Sequence, residues 1–307
     1  VLASAETAAS TLPRYAIASA ASPRYFLSAL TSQAKGNAVS SPYNVLLLGG
    51  HGTIGSGLRT YLPRLDARYR ITSVDLPGAA DRATEPDAHR EFIDLDIYAE
   101  PDALRTVMTD RDLVIYLARR GDLAEMNAMT DQVFAAALAQ AEPPMMVGSS
   151  SVHAVDGLYN FHEQGFYWTL AERQFDRIDE WPERIPATVP AHAINDYGRE
   201  KAHVEEWTQK MAARGHGAVA MRWGGINARN DARADERGYF AVWCHQEDAA
   251  QLVHRCFMAH RNGTLPSGAH YFVISDNTYN IFDIETPRSE VGYDPLHNAE
   301  SFYDPAR

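Results

Sequence analysis

Residues 43–55 read YNVLLLGGHGTIG, an apolar run that breaks into glycines at 49, 52 and 55. The run is short and nearly continuous, as expected of a strand buried on both faces of a parallel sheet. The glycines follow at once and a helical pattern opens behind them, so the stretch is strand, tight turn, helix. Each glycine has its own reason there: Gly49 for the turn, Gly52 for close approach of backbone to a pyrophosphate, Gly55 for packing helix on sheet. Thr53 and Ile54 begin the helix, whose free N–H groups and positive dipole end suit phosphates. A glycine trio alone is weak, because turns are rich in glycine. Here a second strand, YRITSVD (69–75), ends at Asp75, twenty residues beyond Gly55. A carboxylate at that place accepts hydrogen bonds from an adenosine ribose and repels a 2′-phosphate. The expected cofactor is therefore NAD, with NADP the weaker alternative because Arg82 is close by.

Outward from this unit the pattern repeats. REFIDLD (90–96), DLVIYLA (112–118), PPMMVGSS (143–150), GAVAMRW (217–223) and HYFVIS (270–275) are strand-like. Helical stretches lie near 53–62, 99–109, 122–141, 195–214 and 246–260. Such alternation predicts an α/β fold, a Rossmann-type doubly wound parallel sheet with a small C-terminal substrate lobe. One domain is expected over 43–307, its dinucleotide-binding core at 43–225 and its lobe mainly from 152–196 and 226–307. Residues 1–42 stand apart as an Ala/Ser-rich N-terminal arm in which Glu6 is the only acid. It carries a ten-residue echo, PRYAIASA (13–20) and PRYFLSAL (23–30). Its composition leaves an organelle address open beside the expected cytoplasmic location.

Composition narrows the function classes. At 307 residues, 45% hydrophobic and 22% charged, the chain is long enough for a full core and ordinary for a globular protein. A net charge of −12 argues against a nucleic-acid partner, and no apolar run approaches a membrane span. Cys244 and Cys256 are the only cysteines, which fits a reducing compartment. His245, His254 and His260 lie near them in sequence, yet no CxxC or HExxH spacing is present. Two reduced thiols in or near a packed helix are preferred to a zinc site, and no metal is expected.

The run YGREK carries Tyr197 and Lys201, four apart and so on one helix face. A phenol beside a fixed ammonium makes a proton acceptor nearer neutral pH than its usual pKa of about 10 allows. With 15 tyrosines and three lysines in the chain, about 0.15 chance matches of this spacing are expected. The pair gains weight from following GGHGTIG, Asp75 and the serine run 149–151 in order.

With those motifs in that order, the chain over 43 to about 303 resembles the extended short-chain dehydrogenase/reductases of the NAD-dependent epimerase/dehydratase family. The resemblance implies Tyr197 as general acid/base and Lys201 as the residue that holds the nicotinamide ribose and lowers the Tyr197 pKa. It implies adenine contacts at Asp94 and Leu95, cofactor contacts at Leu117 and Ala118, and a place for Asn127 in the following helix. Ser149, Ser150 and Ser151 compete to orient the substrate oxygen; by register Ser151 is chosen and Ser150 is second. Within the family, MRWGG (221–225), FAVWCHQEDAAQLVHRCF (240–257) and VGYDPLHNAESF (291–302) are most similar to the uronate dehydrogenase group, which oxidises the anomeric hydroxyl of a hexuronate with NAD. SSVH (150–153) departs from that group's Ser-Ser-Asn-His in having Val152. His153 is retained, either as a partner of a substrate hydroxyl or as a solvated or core histidine.

A carboxylate substrate calls for an arginine fork. Arg237, six positions before Trp243, is the first candidate. Arg119, Arg120, Arg229 and Arg233 are further cations on loops expected to face the ligand. They favour a small anionic or sugar substrate, although most loop arginines are simply solvated. The alternative function is an NDP-sugar epimerase with retained NAD, disfavoured by the roughly 84 residues after Trp223. Val152-His153 is not the acidic pair of a 4,6-dehydratase, and a silent dinucleotide sensor has no need of both Tyr197 and Lys201. The long 152–196 segment, rich in aromatics, is expected to reshape the pocket. A homodimer or higher homo-oligomer is what the resemblance implies.

Overall fold

Parallel pairing of seven strands in the order β3-β2-β1-β4-β5-β6-β7 organises the computed structural model, which describes residues 41–79 and 90–303. The expectations for the N-terminal arm, except at residues 41 and 42, and for Arg82 lie outside the described residues.

The strands are β1 (Tyr43–Leu48), β2 (Tyr69–Asp75), β3 (Arg90–Asp94), β4 (Leu113–Tyr116), β5 (Met145–Ser151), β6 (Ala218–Trp223) and β7 (Ala269–Val273). The principal helices are α1 (Thr53–Leu65), α2 (Pro101–Val107), α3 (Leu123–Leu138), α4 (Phe166–Ala171), α5 (Asp196–Ala212), α6 (Tyr239–Val242), α7 (Gln246–Arg261) and α8 (Glu285–Val291). Strand order reverses between β1 and β4, and a crevice opens there at the carboxyl ends of the strands.

Alternation along β1 shows why the run had to be apolar throughout. Val45 and Leu47 pack with Leu58 and Leu62 of α1 and Leu252 and Val253 of α7. Leu46 and Leu48 face the opposite layer, with Val133 and Phe134 of α3 and Val204 of α5. Burying each such side chain contributes about 1.5–3 kcal/mol. A single polar substitution in the run would therefore injure one layer or the other. The sequence groups the strand 270–275 and the helix before it with the lobe; in the structure β7 pairs with β6, and α7 packs beside α1 in the sheet's own helical layer.

A third apolar cluster sits above the strand ends. It joins Val152 and Val155, Leu170, Ile185 and Ala187, Phe240 to Trp243, and Phe272, Ile274, Ile281, Phe282 and Ile284. Ion pairs and a buried carboxylate tie it down. Arg222 of β6 donates from Nε and Nη2 to Glu205 of α5 at 2.7 and 2.9 Å, and to the Val189 carbonyl at 2.8 Å. Arg173 forks onto Glu300 at 2.8 and 2.7 Å, joining the segment after α4 to the closing turn. The segment VGYDPLHNAESF is held by Asp248 in the first turn of α7, which accepts from the Leu296 and His297 N–H groups at 2.7 and 3.2 Å.

Candidate active site

The glycine turn is stitched to the sheet by Gly49 N–H donating to the Val74 carbonyl at 2.8 Å. Gly49 has φ +82°, and a Cβ there would sit 2.5 Å from the Ala118 nitrogen. At Gly55 a Cβ would meet the Gly50 carbonyl oxygen at 2.2 Å, so helix and turn touch directly. Gly52 differs. Its Cβ would meet nothing nearer than 3.7 Å, and its open side faces the two adjoining cavities. Gly52 caps α1 without a side chain, and no acid occupies the first turn. The protein therefore explains Gly49 and Gly55 by itself, and leaves at Gly52 the room and N–H donors that a pyrophosphate needs.

One cavity, of about 600 Å³, is lined by Asp75, Leu95, Asp96, Ile97, Leu117, Ala118 and Met129 among others. Asp75 is half-buried and held in place by His51 N–H at 3.0 Å and Leu76 N–H at 2.9 Å. Its remaining lone pairs are those a ribose diol would use. Asp94, expected to contact the adenine, is exposed and lines neither cavity. Strand β3 ends there, and the chain turns Leu95, Asp96 and Ile97 into the cavity instead. Asn127 also lines neither cavity; its Oδ1 is buried without a hydrogen-bond partner.

The second cavity, of about 860 Å³, meets the first along Gly49, Gly52, Leu117 and Arg119. Thr53, Ile54 and Gly55 line it, and so do Ser149, Ser151, His153, Tyr197, Lys201 and Arg237. Strand alternation sorts the three serines. Ser149 and Ser151 face the cavity, while Ser150 points away and donates to Glu205 at 2.6 Å inside the Arg222 network. The substrate role expected of Ser150 is thereby corrected.

Helix α5 begins at Asn195, whose Oδ1 accepts from Gly198 N–H at 2.8 Å, a side-chain cap. Its Nδ2 donates to Asp156 at 3.2 Å, which fixes the helix start against the 3-10 turn Val152–Leu158. A Cβ at Gly198 would lie 2.4 Å from the His153 carbonyl oxygen, so this approach requires glycine. Tyr197 and Lys201 then rise together, with Lys201 Nζ 5.2 Å from the Tyr197 ring centroid. Burial pushes the Tyr197 phenol up from its ordinary value, while the Ser151 hydroxyl and the Arg119 charge act against that. Burial lowers Lys201 to about 8, with Glu200 opposing it.

His153 is half-exposed, bonds through Nδ1 to Asp156 at 2.9 Å, and packs edge-on to Tyr197 at 5.4 Å. Each of the five arginines singled out in the sequence already has a carboxylate. Arg237 pairs with Glu172, Arg233 with Glu236, Arg229 with Asp231, Arg120 with Asp96 and Arg119 with Glu200. Their number alone therefore does not make the cavity cationic. Arg119 donates from Nε and Nη2 to both Glu200 oxygens at 2.6 and 3.1 Å, so its fork is occupied and the expected substrate contact is not preformed. Asp156, Asn195, Glu200, Asp96 and Ile97 were not legible as site residues, since their roles depend on partners distant in sequence.

The cysteines and the histidines near them do not converge. Both thiols are buried and free, and burial pushes both up. His254 bonds the Tyr69 hydroxyl at 3.0 Å. His245, Glu247 and His297 do come close, but the two rings stack at 3.6 Å and 19°, with lone pairs in nearly parallel planes. His245 Nδ1 is also used to cap α7. That packing does not suit one shared ion.

The sequence profile described as the NAD dependent epimerase/dehydratase family matches residues 45–224. Solved structures of the same fold include a mutated uronate dehydrogenase, 19% identical over 85% of this chain and 84% of its own, with a TM-score of 0.64. A tyrosine-to-alanine mutant of Agrobacterium tumefaciens uronate dehydrogenase, complexed with NAD, is 19% identical over 86% and 88%, with a TM-score of 0.63. dTDP-glucose 4,6-dehydratase from Bacillus anthracis str. Ames, in complex with NAD, is 13% identical over 85% and 96%, with a TM-score of 0.62. At these identities the likeness shows the fold. No curated protein matches the sequence. Among the described residues no helix is long and apolar enough to cross a membrane.

Proposed function

This chain belongs to the NAD dependent epimerase/dehydratase family, NAD-dependent enzymes of the extended short-chain dehydrogenase/reductase type, and on that premise we propose that it oxidises a hydroxyl of a sugar or sugar acid, uronate-like, at the anomeric position. The observation that carries this is the placement of Tyr197, Lys201 and Ser151 on one wall of the cavity that meets the dinucleotide cradle at Gly49 and Gly52. Bound NAD would supply the hydride acceptor for the carbinol carbon. The chain does the rest. Ser151 and Tyr197 hold the substrate oxygen between them, and the Tyr197 phenolate takes its proton as the carbonyl forms. Lys201 supplies a nearby positive charge that favours the phenolate, against the cost of burying both groups.

His153, Asp156 and Asn195 are suited to hydroxyl groups on the far side of a sugar ring. A substrate carboxylate would use Arg237 and would have to displace Glu172 from it. A carboxylate of the substrate then replaces a carboxylate of the protein, and selectivity between uronates and neutral sugars rests on this exchange, since without Arg237 the freed Glu172 would repel a uronate.

The test is reduction of NAD by D-glucuronate, D-galacturonate, neutral aldoses and NDP-sugars, followed at the nicotinamide absorbance. Turnover with a uronate or aldose is expected, and Tyr197→Phe is expected to abolish it while NADH still binds. Silence across uronates and aldoses with turnover of an NDP-sugar would overturn the proposal in favour of the epimerase. Arg237→Ala is expected to raise KM for uronates far more than for neutral sugars.

A further inference from the structure

Beside Tyr197 and Lys201 lies an ion pair that the proton transfer just described does not use. The Glu200 side chain is only 2% exposed, and a carboxylate so far from water is tolerated only when it is paired and hydrogen-bonded. Both of its oxygens are taken by Arg119, at 2.6 and 3.1 Å, and Oε1 also lies 3.4 Å from Lys201 Nζ. A two-point fork fixes the plane of a guanidinium as well as its place. Here it holds Arg119 Cζ 4.8 Å from the centroid of the Tyr197 ring. Lys201 Nζ stands 5.2 Å from the same ring, so two cations flank the phenol and one buried carboxylate links them.

The elements involved are distinct. Arg119 comes from the loop after β4, where both cavities meet, and Glu200 from α5. From β5 Ser151 faces Tyr197, and from the turn after it come His153, edge-on at 5.4 Å, and Asp156, whose charge opposes the phenolate. Among the charges acting on Tyr197, that of Arg119 is the largest that favours ionisation. With its fork committed to Glu200, Arg119 does not present the geometry that grips a substrate carboxylate.

We propose that Arg119, anchored by Glu200, is a positioning residue for Tyr197, setting the orientation and electrostatic surroundings of the phenol rather than binding the substrate. This rests on Tyr197 being the proton acceptor. The Arg119 charge favours the phenolate, and Glu200 offsets part of that.

The experiment compares Arg119→Gln and Arg119→Lys with the unaltered protein. The ultraviolet tyrosinate titration is recorded for each with and without Tyr197→Phe, so that the difference isolates one phenol among many. The pH profile of kcat and the KM for D-glucuronate are measured beside it. Arg119→Gln is expected to move the Tyr197 ionisation up by about one pH unit, and to lower kcat near pH 7 about tenfold with recovery at higher pH. KM should change less than about twofold, and Arg119→Lys should restore much of the shift, because it keeps the charge. An unmoved Tyr197 titration would overturn the proposal, as would a rise in KM with an unchanged pH profile. If Tyr197→Phe keeps its turnover, it is the assignment of the proton acceptor that fails, while the titration still judges Arg119.

Discussion

Replacing Asp75 with asparagine isolates the charge that should select NAD over NADP. The carboxylate has two duties. It accepts from His51 and Leu76 N–H groups at 3.0 and 2.9 Å, and it lines the cavity of about 600 Å³. Serine is too short to keep the first duty, whereas an amide keeps the shape and one acceptor oxygen. Two unit charges about 4 Å apart interact by about 4 kcal/mol at an effective dielectric of 20, and by about 1 kcal/mol in bulk water. Asp75 is half-buried, so relief of its repulsion toward a 2′-phosphate should fall between these limits, about 1.5–3 kcal/mol. Asp75→Asn is therefore expected to tighten NADPH binding about ten- to hundredfold. NADH should weaken about tenfold, through loss of a charge-assisted hydrogen bond to the ribose. Both affinities are measured by quenching of protein fluorescence at fixed ionic strength. Unchanged NADPH affinity would remove Asp75 from the ribose site. Loss of both dinucleotides would mean instead that the carboxylate serves mainly to hold the glycine turn.

Gly52→Val should leave the fold standing, because its Cβ direction is open, yet reduce NADH affinity at least tenfold by filling the cradle. Gly55→Ala should lower thermal stability, its Cβ colliding with the Gly50 carbonyl; equal behaviour of the two variants in calorimetry and binding would refute the division of roles. Glu205→Gln leaves Arg222 buried without its carboxylate and should cost about 3–5 kcal/mol, roughly 5–8 °C in Tm. The double variant Glu205→Leu, Arg222→Met should recover part of that, and a double variant worse than the single would contradict the account. Lys201 is lowered to about 8 by burial, against an ordinary value of 10.5. Between those two values the unfolded chain holds more protons than the folded one, so stability should rise with pH across that window, its cost being full below about 8. Denaturant titrations at pH 7.5 and 9.5 should show this rise, and Lys201→Met should reduce it; identical slopes would place the ammonium in solvent.

The run of strands was legible because parallel strands buried on both faces are nearly continuously apolar, as in YNVLLL, LVIY and AVAMRW, where Asn44 and Arg222 are the exceptions. Tyr197 and Lys201 were legible because helical spacing is local. Where the structure places residues differently, the causes are local too. Asp94 and Asp96 stand two apart in REFIDLD, and only the point where β3 stops decides which of DLDI enters the cavity. For the serines, the period of a strand implies that 149 and 151 share a face that 150 cannot. Which face that is depends on Arg222 and Glu205 lying behind it.

By itself the sequence determined the strand–turn–helix cradle, the carboxylate at the end of β2 and the phenol–ammonium pair, each of which spans a few residues under backbone geometry alone. Tertiary structure decided everything set by charge pairing at a distance. Arg119 and Glu200 are 81 residues apart, and Arg237 is matched by Glu172. A side chain's chemistry is a property of the residue, but whether its charge is free, spent or buried is a property of the neighbours that folding brings to it.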